Sequence, residues 1–142
     1  MNNYFTAIIA ARMGSSRFKG KTLSNLHGKP MLYRLVERIR FSKNIKNIIL
    51  ATSNKNEDDV LEDFCLRNDI ICFRGSSNDV LKRIKDAAVK NNLIRIVEIL
   101  GDNPLVHSDL IDSCISKYKA GNYDYVATAT REYPYLTKNN FF

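Results

Sequence analysis

The sequence predicts an α/β fold in which a mainly parallel sheet is sandwiched between helices. Short apolar runs alternate regularly with segments of helical periodicity, as strands joined by right-handed helical crossovers require. A content of 44% hydrophobic and 26% charged residues is that of an ordinary globular protein, and 142 residues suffice for one domain with a real core. Neither an internal repeat nor a low-complexity segment interrupts the alternation.

Phe5, Ala7, Ile8, Ile9 and Ala10 read as the first strand. Pro30 suits a first helical turn. After it, Met31, Leu32, Leu35, Val36 and Ile39 fall on one helix face. Ile45, Ile48, Ile49, Leu50 and Ala51 make a second strand. Val60, Leu61, Phe64 and Cys65 mark a second helix, opened by the acidic Glu57, Asp58 and Asp59. Ile70 to Phe73 is a short third strand, and Val80, Leu81, Ile84, Ala87 and Ala88 give a third helix, capped by Ser77 or Asn78. The fourth strand runs from Ile94 to Leu100. Ser108 caps a fourth helix that buries Leu110, Ile111, Cys114, Ile115 and Tyr118 and stops at Gly121. Tyr125, Val126 and Ala127 begin a fifth strand.

Several function classes are disfavoured. No apolar run is long enough to cross a bilayer, and the first residues lack a secretory signal pattern. The three cysteines, Cys65, Cys72 and Cys114, form no CxxC pair, which argues against a zinc knuckle or a disulfide framework and for a reduced, cytoplasmic setting. The net charge is +7, yet four of the cations lie within the stretch AARMGSSRFKGK, Ala10 to Lys21, which holds no carboxylate. Charge so concentrated matches a compact polyphosphate better than the long backbone of a nucleic acid, which is excluded as the expected partner.

This basic stretch directly follows the first strand, and open α/β sheets bind ligands beyond the carboxyl ends of their strands. Gly14 and Gly20 allow unusual backbone angles, Ser15 and Ser16 can donate hydrogen bonds, and successive backbone N–H groups can cradle phosphate. Arg12, Arg17 and Lys21 supply positive charge. Two common phosphate motifs are absent: there is no GxGxxG, and five residues rather than four separate Gly14 from Gly20-Lys21-Thr22. The fourth strand leads into Gly101-Asp102-Asn103-Pro104, which sets Asp102 on the same rim. A carboxylate facing polyphosphate calls for a cation between them, and Mg²⁺ held by one carboxylate and phosphate oxygens meets that need. The competing reading is an ordinary Gly-Asp turn. Neither histidine is needed: His27 belongs to a turn before Gly28, and His107 lies on the surface beyond Asp102.

Four ordered motifs, ARMGSSRFKGKTL, HGKPML, FRGSSNDVLKR and GDNPLV, resemble those of the sugar cytidylyltransferases, in particular the SpsF-type spore-coat polysaccharide proteins. Relatives in this family activate sialic-acid-type sugars and KDO as CMP conjugates. The resemblance implies a Rossmann-like three-layer α/β/α sandwich of the nucleotide-diphospho-sugar transferase type. It also implies a Mg²⁺-dependent transfer of CMP from CTP to a sugar, an acidic sugar foremost, in surface polysaccharide biosynthesis. By position, the backbone of Ala11, Arg12 and Met13 lies near the nucleoside, and Gly14, Arg12, Ser15, Arg17 and Lys21 hold the triphosphate. Asp102 binds the metal, and Gly75, Ser76 and Asp79 approach the nucleotide. Arg12, Lys21 and Asp102 form the expected catalytic set. Helix capping explains Ser76 and Asp79 equally well.

A single nucleotidyltransferase-like domain over residues 1–142 is expected, compatible with a homodimer. REYPY, Arg131 to Tyr135, stands where the family leads into further metal, sugar and dimer contacts. The expectation is that this part is missing. The alternative is therefore a non-catalytic nucleotide-binding module.

Overall fold

The structure, a computed structural model, describes residues 4–14 and 18–128. Strand β1 (Phe5–Ala10) is followed by a tight hairpin of β2 (Asn25–Leu26) and β3 (Lys29–Pro30), which enters helix α1 (Met31–Ile39). Then come β4 (Ile45–Ser53), α2 (Asp59–Arg67), β5 (Ile71–Gly75), α3 (Val80–Lys90), β6 (Ile96–Leu100) and α4 (Ser108–Ala120). Four strands form one sheet in the order β5-β4-β1-β6, and every pairing in it is parallel.

The alternation along β1 divides the core into two. Phe5, Ala7 and Ile9 pack with Leu32, Leu35, Val36 and Ile39 of α1, Leu61, Phe64 and Cys65 of α2, and Ile111 and Ile115 of α4. Ile8, one residue out of phase, joins Ile49, Ala51 and Phe73 against Ile84 and Ala87 of α3. These are the three layers of the predicted α/β/α sandwich. Strand order reverses at β1: the chain runs outward to β4 and β5, then returns to place β6 on the other side. The crevice between the carboxyl ends of β1 and β6 is therefore a topological switch point.

The structure corrects the expected boundaries in several places. The first residue of β6 to pair is Ile96, opposite Thr6; Ile94 lies before the ladder and is 96% exposed. Residues 125–127 form no strand among the described residues. The cap of α3 is Asp79, whose carboxylate accepts from Lys82 N at 2.8 Å, rather than Ser77 or Asn78. The cap of α4 is His107, whose Nδ1 accepts from Asp109 N at 3.3 Å, so Ser108 is already helical. Of the face expected to be buried on α4, only Ile111 and Ile115 are fully so. Gly121 ends α4 with extended backbone, at φ −138°, instead of a left-handed turn. His27 and Gly28, with φ of 54° and 82°, form the hairpin turn, where positive φ at both central residues matches strand twist.

Candidate functional site

Four loops converge on the rim formed by the strand carboxyl ends. The first leaves β1. Ala11 continues the strand with its N–H on the Ala51 carbonyl, and the Met13 carbonyl accepts from Gly20 N at 3.1 Å, closing the basic loop at its neck. Gly20 stands at φ 76°, the left-handed region that favours glycine, and starts a short 3-10 turn over Lys21–Leu23. The buried Thr22 hydroxyl donates to the Arg12 carbonyl at 3.0 Å and ties that turn back to the strand end. Of the predicted site residues, Ser15 and Arg17 lie outside the described residues, as does the Arg131 to Tyr135 segment.

The second loop leaves β6. A side chain at Gly101 would stand 2.5 Å from Ala11 Cβ and 2.8 Å from the Ala10 carbonyl oxygen. Lacking one, Gly101 donates its N–H to that carbonyl at 3.0 Å, and the mouths of β1 and β6 close together. Asp102 is thereby carried to the basic loop, where its Oδ2 lies 2.8 Å from Lys21 Nζ. Both side chains remain partly open to solvent, 28% for Lys21 and 49% for Asp102. The sequence-predicted pair, 81 positions apart, meets at the switch point.

The third loop leaves β5. Arg12 Nη1 donates to the Ser77 carbonyl at 3.3 Å, which brings Gly75, Ser76 and Asp79 beside the basic loop. Asp79 is occupied as a helix cap, and its own N–H is held by Ser76 Oγ at 3.1 Å.

The fourth loop leaves β4 and holds a residue that sequence reasoning missed. Asp58, read as part of an acidic helix start, is fully buried. It accepts from Met13 N at 2.7 Å, from Ser53 N at 3.2 Å, and from the Ser53 hydroxyl. It anchors the root of the basic loop to the end of β4. A second missed residue is Arg83 of α3, 2% exposed, which donates from Nη1 to the Ser76 carbonyl at 2.6 Å. Burial pushes its guanidinium below the usual range, the nearby charge of Arg12 pushes further, and Asp58 opposes both. Arg83 closes the motif FRGSSNDVLKR and Asp58 sits in the acidic helix start, and either could have been flagged only by allowing for a buried charge.

The described residues bring no three His, Cys, Asp or Glu side chains together as a metal cluster. Asp102 offers a solvent-accessible carboxylate beside Lys21, and the exposed Glu57 brings a second one against Gly14 of the basic loop. That donor set fits a hard cation whose remaining ligands are phosphate oxygens and water, as is common for Mg²⁺. No helix of the described residues is long and apolar enough to cross a membrane.

Comparison with known proteins shows the family. The family model described as Cytidylyltransferase matches residues 6–139. The chain is 38% identical over 130 residues to the spore coat polysaccharide biosynthesis protein SpsF of Bacillus subtilis, covering 86% of this chain and 53% of that protein. It is 34% identical over 119 residues to 3-deoxy-manno-octulosonate cytidylyltransferase 2 of Hydrogenovibrio crunogenus, covering 82% of this chain and 47% of that one. Among solved structures, a cytidylyltransferase from Leptospira borgpetersenii superposes with a TM-score of 0.77 at 34% identity, over 84% of this chain and 50% of that chain. The chain spans about half the length of the curated relatives it matches.

Proposed function

Since the chain belongs to the cytidylyltransferase family, we propose that it provides the nucleotide-binding half of a reaction in which CMP passes from CTP to a sugar and pyrophosphate is released. An acidic sugar is the favoured acceptor class, because a relative of this chain is named for the eight-carbon sugar acid 3-deoxy-manno-octulosonate. SpsF supports a place in the making of a surface polysaccharide. The observation that carries the reading is the approach of Lys21 to Asp102 at the mouth of β1 and β6.

In this reaction a sugar hydroxyl oxygen forms a bond to the α-phosphorus. The bond from that phosphorus to the oxygen bridging to the β-phosphate breaks, and the hydroxyl proton passes to solvent. Little covalent work falls to the protein, so orientation and charge neutralisation supply the rate. The backbone of Ala11 to Met13, rooted on β1 and on Asp58, borders the nucleoside. Arg12, Gly14, Ser15, Arg17 and Lys21 surround the triphosphate. Lys21 trades its carboxylate partner for phosphate oxygens, and Asp102 is released to hold Mg²⁺. The metal, when bound, neutralises charge on the phosphates and the leaving pyrophosphate. Gly75, Ser76 and Asp79 form the facing wall.

Thermal denaturation with CTP, ATP and Mg²⁺, followed by pyrophosphate release over a panel of sugar acids, tests the reading. CTP with Mg²⁺ is expected to raise Tm more than ATP does. No stabilisation of the folded chain by any nucleoside triphosphate overturns it. CTP binding without pyrophosphate release from any sugar assigns a nucleotide-binding module instead.

A further inference from the structure

The most unusual charge in the molecule lies outside the basic loop. Arg83 is almost completely buried, its Nε has no hydrogen-bond partner, and it makes no ion pair among the described residues. Its stem runs beneath Gly75, where an added Cβ would stand 3.2 Å from Arg83 Cγ and 2.7 Å from Phe73 Cε1. Its Nη1 holds the Ser76 carbonyl at 2.6 Å, while Arg12, reaching across from the basic loop, holds the next carbonyl, that of Ser77, at 3.3 Å. Two guanidiniums thus grip consecutive carbonyls of one turn, and the buried Asp58 counters the charge of Arg83. An arginine sunk in the interior without a bonded carboxylate is unfavourable for folding, and a second cation nearby makes it more so. An anion arriving at Arg12 relieves that strain.

We infer that Arg83 is a positioning residue of the nucleotide site: it fixes the Ser76–Ser77 turn on which Arg12 docks and backs Arg12 with a desolvated positive charge that favours the triphosphate. This rests on the nucleotide-site reading above. Arg83 touches no ligand itself, being shut off from solvent, and it acts through Arg12. It has a signature that a merely structural residue lacks. Arg83 is a burden on the free fold and an asset to the complex, so its removal moves stability and affinity in different ways.

The test uses Arg83→Met, which keeps the length and packing of the stem, and Arg83→Lys, which keeps the charge. Each is made alone, and Arg83→Met is also combined with Arg12→Ala. Calorimetric titration with CTP and Mg²⁺ gives Kd, and thermal denaturation without ligand gives Tm. R83M is expected to hold Tm within about 2 °C of the unsubstituted chain, or above it, because exchanging a buried unpaired charge for an apolar side chain is neutral or stabilising. Its Kd for CTP is expected to rise roughly tenfold, and that of R83K to stay within about threefold of the original. In the R12A background the further loss from R83M shrinks to less than about threefold, because the two arginines act as one unit. A clear fall in Tm or failure to fold, an unchanged Kd, a lysine that does not restore affinity, or losses that multiply in the double variant each overturn the inference. Absence of CTP binding by the unsubstituted chain overturns the reading beneath it and is distinguished by that control.

Discussion

Asp102→Asn separates a structural role for the Lys21 contact from a functional one. The carboxylate and ammonium are 2.8 Å apart, with 49% and 28% of their side chains exposed. In bulk water that separation corresponds to about 1.5 kcal/mol of attraction. Ordering two side chains and screening by salt reduce such an exposed pair to about 0.2–1 kcal/mol. For a chain of this size the loss lowers Tm by at most about 4 °C. The nucleotide responds in the opposite sense. In the nucleotide-site reading Asp102, without Mg²⁺, repels the triphosphate and detains Lys21, so the asparagine variant is expected to bind metal-free CTP more tightly. Removing one such solvent-screened repulsion is worth about 1 kcal/mol, roughly fivefold in Kd. With Mg²⁺ the unsubstituted chain is expected to gain affinity, and the variant to lose that gain with its carboxylate. Calorimetric titration of CTP with EDTA or with Mg²⁺, beside thermal denaturation, reads all three quantities. If Mg²⁺ strengthens CTP binding equally in both proteins, or if the variant melts more than about 6 °C lower, Asp102 is no metal ligand and the contact serves the fold.

Two further substitutions address the framework. Gly101→Ala drives a methyl group to 2.5 Å from Ala11 Cβ and 2.8 Å from a backbone oxygen that cannot swing aside. Overpacking of this kind costs about 1–3 kcal/mol, so the expected outcome is a Tm lower by roughly 3–10 °C together with weaker CTP binding, as the two strand mouths are forced apart. An unchanged Tm would show that the close approach is dispensable. Asp112 on α4 clamps the loop between α1 and β4, accepting from Ser42 Oγ at 2.6 Å, Asn44 Nδ2 at 2.9 Å, and the N–H groups of Lys43 and Asn44 at 3.0 and 3.2 Å. Burial works to raise its carboxyl, but these hydrogen bonds outweigh burial and hold it below the usual carboxylate range. A depressed folded-state pKa gives stability that is present above the unfolded value, about 3.9, and lost as pH falls through the lower folded value. Asp112→Ala is therefore expected to cost about 1–3 kcal/mol near neutrality, with the difference from the unsubstituted chain shrinking below about pH 4. A difference in denaturant midpoint that stays constant from pH 7 to pH 3 refutes this assignment.

Much of this architecture is legible from periodicity. β1, β4 and β5 are apolar runs of the right length, and placing the basic stretch and Asp102 after strands was enough to anticipate their meeting. What stayed hidden depends on neighbours distant in sequence. Asp58 and Arg83 look like solvated charges in a pattern, since a helical wheel assigns charge to the outside. Only the fold shows that Met13, Ser53 and Ser76 wait for them inside. Ile94 has the composition of a strand residue, but a strand begins where a partner begins, and that is at Thr6. The same limit applies to Tyr125, which has β-forming chemistry and no ladder among the described residues. At Asp79 and His107, cap choice followed which side chain could bend back onto the helix N–H groups, a matter of backbone angle that residue preference leaves open.

The place of β1 between β4 and β6 has a mechanical consequence. Its amides are bonded or screened on both flanks, so the root of the basic loop is expected to open to solvent exchange only with the whole fold. Among the described residues β6 has one neighbour in the four-stranded sheet, and the turn bearing Asp102 hangs from it. The two halves of the candidate centre are thus mounted on supports of unequal stiffness. In the nucleotide-site reading, fluctuation of the weaker one is expected to set how often carboxylate and ammonium separate to admit a ligand.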